Sequence, residues 1–220
     1  MRKTVLLLLI IVSLLGSAHA ASRILIVGDS LSAAYGIDPA VGWTELLAKR
    51  LQADGLDYQV VNASITGDTT RGALARLPRL LERHEPAVVI LELGGNDGLR
   101  GISLDEMRAN FERMIAMSQD RGARVLLLGM HLPPNYGPAF TEAFHAVYHD
   151  LAGEHDVALV PFFLEGVAEN EDLFLPDRIH PNEQAQPRLL QNVWPELEPL
   201  LTIRPASRAA PPAPRLAALR

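Results

Sequence analysis

Short apolar runs alternate with helix-patterned segments along most of this chain, and that alternation limits the possible folds more than any other feature. The runs lie at residues 24–27, 58–61, 87–93, 125–128 and 157–160, and the first shows no polar alternation, as in a strand covered on both faces. Between the runs, apolar residues recur at helical spacing. Strand and helix in strict alternation predict an α/β domain with three layers, αβα, around a five-stranded, mostly parallel sheet.

Prolines interrupt two of the predicted helices. Pro78 lies inside the helical pattern of residues 69–84, and we expect it to break that helix into two pieces. A final helix should run from about Glu183 toward Leu201, and we expect Pro187 and Pro195 to perturb it.

The first 20 residues have the pattern of an export signal. Arg2 and Lys3 precede an apolar stretch at residues 5–15, and Ala18-His19-Ala20 resembles a cleavage site. This stretch is shorter than the roughly 20 apolar residues that span a bilayer. We therefore expect cleavage near Ala20, a periplasmic or secreted bacterial location, and no stable membrane span after the signal is removed.

Residues 21–203 are long enough to form one domain with a sizeable core. Residues 204–220 combine arginine, alanine and proline with no acidic residue, which predicts a disordered basic tail. The chain has a net charge of −6, which becomes −8 without Arg2 and Lys3, so nothing suggests a nucleic-acid partner. The absence of cysteine excludes disulfides, thiolate catalysis and cysteine-ligated metals.

Several polar residues follow the predicted strands. Ser30 lies beyond the first strand, Gly67 beyond the second and Asn96 beyond the third, while Asp177 and His180 follow the fifth. Parallel sheets bind their ligands beyond the carboxyl ends of the strands, so all five residues should lie at one edge. Taken alone, Ser30 could simply cap the next helix. The shared edge favours an active site instead.

The chemistry of acyl transfer gives each of these residues a role. A serine hydroxyl needs an adjacent base, which His180 can supply, and Asp177 can orient the imidazole through its other nitrogen. Pro181 disfavours helical geometry at His180, so we expect a turn there. The backbone N–H groups of Ser30 and Gly67 and the side-chain amide of Asn96 can stabilise an oxyanion.

Other polar residues have simpler interpretations. We interpret Asp29, Asp68 and Asp97 as loop or cap residues and Glu92 as a paired structural carboxylate, because an unpaired buried charge is costly. His145 and His149 have the i, i+4 spacing of metal ligands. No third ligand is evident nearby in the sequence, so we interpret them as core and surface histidines and expect neither a metal nor a cofactor.

Four blocks resemble the SGNH (GDSL) hydrolase family, closest to its group of periplasmic thioesterases, lysophospholipases and arylesterases. The resemblance spans about residues 23–201 and rests on the following segments: Gly28-Asp29-Ser30-Leu31-Ser32, Gly67 within residues 62–69, Gly94-Gly95-Asn96-Asp97 within residues 92–101, and Asp177-Arg178-Ile179-His180-Pro181. Residues 132–137 also look like that group. The nucleophile does not lie in a G-x-S-x-G elbow, so expectations for α/β-hydrolases do not apply.

The resemblance implies a flavodoxin-like sheet, a Ser30, Asp177 and His180 triad, and an oxyanion hole formed by Ser30, Gly67 and Asn96. It also implies hydrolysis of aryl esters, acyl thioesters and lysophospholipids. We expect a monomeric serine esterase/thioesterase that binds a small acyl substrate. The alternatives are a carbohydrate or peptidoglycan O-deacetylase on the same triad, and a non-enzymatic periplasmic binding domain.

The loop at residues 132–137 should lie beside the active-site edge because it follows the fourth strand. Leu132, Pro134 and Tyr136 are the candidate residues for contacting an acyl chain. The alternative is a rigid proline-rich turn that only connects the strand to the next helix. His131, just before the loop, departs from the family pattern and leaves the substrate preference open.

Overall fold

The computed structural model describes residues 21–202, so the predictions made for residues 1–20 and 204–220 fall outside the described residues. The strands are β1 (Ser22–Gly28), β2 (Tyr58–Asn62), β3 (Val88–Glu92), β4 (Arg124–Leu128) and β5 (Ala158–Val160). The helices are α1 (Trp43–Ala53), α2 (Thr70–His84), α3 (Gly95–Leu99), α4 (Leu104–Asp120), α5 (Pro138–His155) and α6 (Gln186–Thr202).

The strands form one parallel sheet in the order β2-β1-β3-β4-β5. Helices α1 and α6 pack against each other on one face, while α4 packs against both α2 and α5 on the other. Every residue of β3 is buried, as expected of a central strand covered on both faces. The three-layer α/β fold with a five-stranded parallel sheet is therefore confirmed, and its strand order is flavodoxin-like.

Helix α2 is continuous through Pro78, so the prediction of two separate pieces is wrong. The proline removes one backbone hydrogen bond, which costs roughly 3 kcal/mol in a helix interior. Pro78 is exposed, however, while Leu74, Leu77 and Leu81 on the opposite side are buried in the core. Burial of each such side chain contributes about 1.5–3 kcal/mol, which outweighs the proline's effect.

The last helix, like α2, has its interior prolines on the exposed side, and it begins later than the predicted start at about Glu183. Residues Glu183–Ala185 form a separate 3₁₀ turn, and α6 then runs unbroken through Pro195 and Pro199, both of which are exposed. Pro187 occupies the first turn, where its missing N–H would have had no partner in the helix.

The register of the central strands places the ends of β1 and β3 level with each other, since Gly28 pairs with Glu92. A Cβ atom at Gly28 would lie 2.8 Å from Glu92 Oε2 and 2.9 Å from Ser32 Oγ. Only glycine allows this close approach. The segment after β1 and the segment after β3 therefore leave the sheet side by side.

Candidate active site

A chain of hydrogen bonds joins Ser30, His180 and Asp177. The Oγ atom of Ser30 lies 2.9 Å from His180 Nε2, and His180 Nδ1 lies 2.7 Å from Asp177 Oδ2. Because a carboxylate only accepts, His180 Nδ1 carries the proton and Nε2 is left to accept the serine hydroxyl. The structure thus brings together three residues that the sequence placed at one edge of the sheet.

Residues 177–180 form the turn that the sequence predicts. Asp177 Oδ1 accepts hydrogen bonds from the backbone N–H groups of Ile179, at 2.9 Å, and His180, at 3.0 Å. The intervening Arg178 has a φ of 57°, in the left-handed region. Beyond the turn, the carbonyl of His180 accepts a hydrogen bond from the Leu175 N–H. This network holds the carboxylate folded back onto its own histidine.

Electrostatics keep Asp177 ionised. Its hydrogen bond from the His180 side chain, followed by the two backbone N–H bonds, lowers the pKa of Asp177 to about 2. The carboxylate is therefore charged at neutral pH. The Tyr35 ring lies against the His180 imidazole with the two ring centroids 4.3 Å apart. The sequence analysis did not identify Tyr35, because no motif links it to a residue so distant in the chain.

The three candidate oxyanion donors retain hydrogens for a ligand. Within residues 21–202, the backbone N–H groups of Ser30 and Gly67 donate to no protein acceptor. Asn96 uses one amide hydrogen in a 2.9 Å bond to Asp29 Oδ2 and keeps the other. Donors without an internal partner at such an edge are suited to a developing negative charge.

Arg100 fixes the peptide of Gly67. Its Nη2 donates to the Gly67 carbonyl oxygen at 2.9 Å. Gly67 has a φ of 76°, a conformation that costs glycine little and other residues more. The sequence analysis missed this role of Arg100, although Arg100 lies in a block that it quoted.

Two buried carboxyl groups, those of Asp29 and Glu92, accept hydrogen bonds from the segment that contains Ser30. Burial raises the pKa of Asp29 to about 6, although its hydrogen bonds from Leu31 and Asn96 oppose the shift. Burial also raises the pKa of Glu92 well above its usual range, and the charge of Asp29 raises it further. Glu92 Oε2 accepts from Ser32 Oγ at 2.7 Å, while Oε1 has no partner.

These contacts change two of the sequence interpretations. Glu92 was expected to be a paired carboxylate, but its partners are a hydroxyl and a backbone N–H rather than a cation. A buried carboxyl without a cation is most stable in its neutral form. Asp29 is a loop residue, as predicted, but it also holds the amide of Asn96.

The other two aspartates have the structural roles that the sequence predicts. Asp97 accepts hydrogen bonds from the backbone N–H and the hydroxyl of Thr70, at the start of α2. Asp68 accepts from the N–H of Thr69 and forms an ion pair with Arg76 at 2.8 Å. Both carboxylates therefore anchor the segment between β2 and α2.

The candidate substrate loop follows β4. Leu132 is buried, and a Cβ atom at Gly98 in α3 would lie 2.5 Å from its side chain. Pro134 opens a 3₁₀ turn that ends at Tyr136, which is 38% exposed. The loop thus contacts the helix that contains Asn96 through Leu132 and presents Tyr136 to solvent.

A third histidine lies beside the pair that the sequence identified. The ring of His131 stacks on that of His145 with the centroids 3.7 Å apart, and His149 Nε2 lies 3.1 Å from His145 Nε2. Burial, and next the charge of a neighbouring histidine, lowers the pKa of His131; burial likewise lowers the pKa of His145. The sequence pattern could not predict the contact between His131 and His145, because His131 lies on a loop rather than on the helix.

Residues 26–187 match the sequence profile of the GDSL-like Lipase/Acylhydrolase family. The chain is 55% identical over 188 residues to the esterase TesA of Pseudomonas aeruginosa, which covers 86% of this chain and 94% of that protein. It is 43% identical over 193 residues to thioesterase 1/protease 1/lysophospholipase L1 of Escherichia coli, which covers 88% of this chain and 91% of that protein.

The fold agrees with these similarities. The crystal structure of the psychrotrophic esterase EstA from Pseudoalteromonas sp., inhibited by monoethylphosphonate, superimposes with a TM-score of 0.78. The two sequences are 39% identical, and the match covers 82% of this chain and 98% of that structure.

Proposed function

The chain belongs to the GDSL-like lipase/acylhydrolase family and is an ester hydrolase, and we propose that it works through an acyl-enzyme formed on Ser30. The observation that supports this proposal most strongly is the 2.9 Å contact between Ser30 Oγ and His180 Nε2. The other nitrogen of the same imidazole donates to Asp177. Because the chain is an ester hydrolase, the alternative of a binding domain without activity is excluded.

In the first step, the Ser30 hydroxyl attacks the carbonyl carbon of the substrate while its proton moves to His180 Nε2. The imidazolium that forms lies next to the Asp177 carboxylate, 2.7 Å away, and is stabilised by it. The electron pair of the carbonyl moves to its oxygen, which becomes an oxyanion. The N–H groups of Ser30 and Gly67 and the free amide hydrogen of Asn96 are the donors for that charge.

Collapse of the tetrahedral intermediate breaks the bond to the leaving group. His180 returns its proton to that alcohol or thiol, and the acyl group remains on Ser30. Water then attacks the acyl-enzyme with His180 as the base, and the second collapse releases the carboxylic acid and restores the serine hydroxyl. All groups needed for both half-reactions come from the segments that follow β1, β2, β3 and β5.

The residues around the candidate site favour a substrate with an apolar acyl chain. Among residues 21–202, the exposed large apolar side chains are Tyr35, Ile65, Leu99, Tyr136 and Ile179. Each lies in the segment after a different strand, and all five segments leave the sheet at the carboxyl edge. Exposed apolar residues gathered at one edge are typical of a ligand-binding surface.

We infer three substrate classes, which are acyl thioesters, aryl esters and lysophospholipids. The names of the Pseudomonas and Escherichia relatives, esterase and thioesterase 1/protease 1/lysophospholipase L1, support the thioester and lysophospholipid classes, and the arylesterase of Vibrio mimicus, 41% identical over 181 residues, supports the aryl esters. An O-deacetylase acting on carbohydrate is the competing enzyme. It would prefer acetyl groups and gain nothing from the apolar residues at the edge.

We also propose that residues 1–20 direct export and are removed near Ala20, and that the mature protein acts as a monomer in the periplasm or outside the cell. Within residues 21–202, none of the helices has the length and apolarity needed to cross a bilayer. N-terminal sequencing of the protein from a periplasmic extract tests the cleavage site, and light scattering tests the monomer.

A fluorophosphonate probe followed by peptide mass spectrometry tests the acyl-enzyme. We expect a single adduct on Ser30, no adduct on Ser30→Ala, and activity of that variant within a few per cent of background. Ser103→Ala is the matched control, because Ser103 is a cap of α4, and it should still be labelled at Ser30. An adduct on another serine, or full activity of Ser30→Ala, would reject the nucleophile. Rates on p-nitrophenyl acetate, p-nitrophenyl laurate and acetylated xylan then separate the two enzyme classes.

A further inference from the structure

Three histidines that the hydrolytic mechanism does not use form a cluster between the β4–α5 loop and α5. His145 and His149 lie one turn apart on the helix, and His131 on the loop stacks against His145. Together with Thr141, Glu142 and Ala146 they line an open groove of about 400 Å³. Imidazole and carboxylate side chains are groups that bind transition metals, and both kinds line this groove.

The proton on His145 is fixed by the backbone. His145 Nδ1 lies 3.3 Å from the Met130 carbonyl oxygen, which can only accept a hydrogen bond. Nδ1 therefore carries the proton, and the neutral ring presents a lone pair at Nε2. Metal-binding histidines usually have this arrangement, in which the nitrogen away from the metal donates to a carbonyl or carboxylate.

The spacing of the two Nε2 atoms also suits a metal ion. They lie 3.1 Å apart on adjacent turns of α5. Two nitrogens bound to Zn²⁺ at about 2.0–2.1 Å would be separated by roughly 3.3 Å at a tetrahedral angle. The observed separation is close to that value and needs no movement of the helix. The same atoms can instead share one proton, which is the competing explanation.

We propose that His145 and His149 chelate one late first-row divalent cation, such as Zn²⁺, through their Nε2 atoms. Water completes the coordination, because among residues 21–202 no third ligand atom of a histidine or carboxylate lies within 4.8 Å of both Nε2 atoms. His131 supports the ring of His145 from the loop side. Because these groups lie outside the Ser30, His180 and Asp177 chain, the ion stabilises α5 and the loop and takes no part in hydrolysis.

Among residues 21–202, the cluster that brings three ligand atoms within 4.8 Å of one another is a different one, formed by Glu112, Glu154 and His155. Arg108 forms ion pairs with both of its glutamates. That guanidinium already accounts for the gathering of the carboxylates. The cluster therefore supplies a control rather than a second proposal.

Isothermal titration calorimetry with ZnCl₂ tests the site on untagged protein in a non-chelating buffer at pH 7.5. We expect one ion per chain, a micromolar Kd, and at least a tenfold loss of affinity in His145→Gln and in His149→Gln. Excess Zn²⁺ should raise the Tm of the wild type by about 5 °C or more, and EDTA should reverse the rise while leaving ester hydrolysis intact.

His155→Gln is the matched control, since it changes a histidine at the end of the same helix and should keep full affinity. Circular dichroism establishes that every variant is folded, and unchanged hydrolysis of p-nitrophenyl acetate confirms it for His145→Gln, His149→Gln and His155→Gln. No saturable binding by the wild type would overturn the proposal. Loss of binding in His155→Gln or in His180→Ala, with retention in His145→Gln, would also overturn it by placing the ion elsewhere.

Discussion

The side-chain amide of Asn96 donates to the carboxylate of Asp29, its neighbour across β1 and β3, at 2.9 Å. The other oxygen of Asp29 accepts from the Leu31 N–H at 3.1 Å. Asp29 is thus held by the segment that contains the nucleophile and itself holds a candidate oxyanion donor. The contact fixes which way the Asn96 amide points, because a carboxylate accepts only from the nitrogen side.

Asp29→Asn should lower kcat by about 10–100-fold with little change in KM. The new amide no longer dictates the orientation of Asn96, and small misplacements of catalytic groups can cost 10²-fold. Steady-state kinetics on p-nitrophenyl butyrate measure the effect. Asp57→Asn, in the exposed turn before β2, is the control and should behave as the wild type. A raised KM with normal kcat would mean that Asp29 contributes to substrate binding instead.

The pH profile provides a second test of Asp29. Its pKa is raised to about 6, so the group gains a proton as the pH falls through 6 and its negative charge is lost. That charge favours the imidazolium formed at His180, and activity should therefore fall with the pH in this range. In Asp29→Asn, activity should fall less steeply as the pH decreases. Identical profiles for the two proteins would show that ionisation of Asp29 does not affect the rate.

Asn96→Ala should lower kcat more than it raises KM, since the proposed role of the amide is to stabilise the transition state. Loss of one oxyanion donor typically costs about 10²–10³-fold, or roughly 2.7–4 kcal/mol. In the double variant with Asp29→Asn the two effects should not add, because Asp29 acts through Asn96. Additive losses in kcat would separate the two residues.

Glu92→Gln should make the protein progressively more stable than the wild type as the pH rises from 5 to 8. The pKa of Glu92 is raised in the folded state, so the folded protein holds a proton that the unfolded chain releases. Wild-type stability therefore falls with pH, by at most about 1.4 kcal/mol per pH unit for one such group. Glutamine removes that dependence.

Urea unfolding at pH 5, 6.5 and 8 measures this difference. Glu82→Gln on the exposed side of α2 is the control, and its stability should follow the wild type at every pH. If the free energies of unfolding of Glu92→Gln and the wild type stay parallel across the range, Glu92 is ionised in the folded protein.

The sheet, and the gathering of the candidate site residues at its carboxyl edge, could be predicted because both follow from local patterns. The predicted strand runs end at Val27 and Leu93, so whatever comes next must share one edge of a parallel sheet. The bond from Asn96 to Asp29 could not be predicted, because the two residues are 67 positions apart and each also fits an ordinary turn. The continuity of α2 through Pro78 was missed since it depends on which side of the helix faces the core.

The last prediction concerns the loop after β4. Leu132 packs against Gly98 of α3, the helix that contains Asn96, and Tyr136 is partly exposed at the end of the 3₁₀ turn that Pro134 begins. If the loop covers the acyl chain, Leu132→Ala and Pro134→Gly should lower kcat/KM for laurate relative to acetate esters. Each methylene that loses its cover costs about 0.8 kcal/mol, or roughly fourfold.

The measurement is kcat/KM for p-nitrophenyl esters from acetate to laurate, with Leu80→Ala on α2 as the control for a truncated, partly buried leucine. Hydrolysis of the acetyl ester should barely change in either loop variant, because that substrate has no chain to cover. The alternative is a rigid turn that supports the site without contacting the chain. A uniform drop at every chain length would favour that alternative, since loss of support affects the reacting carbonyl equally in all of the esters.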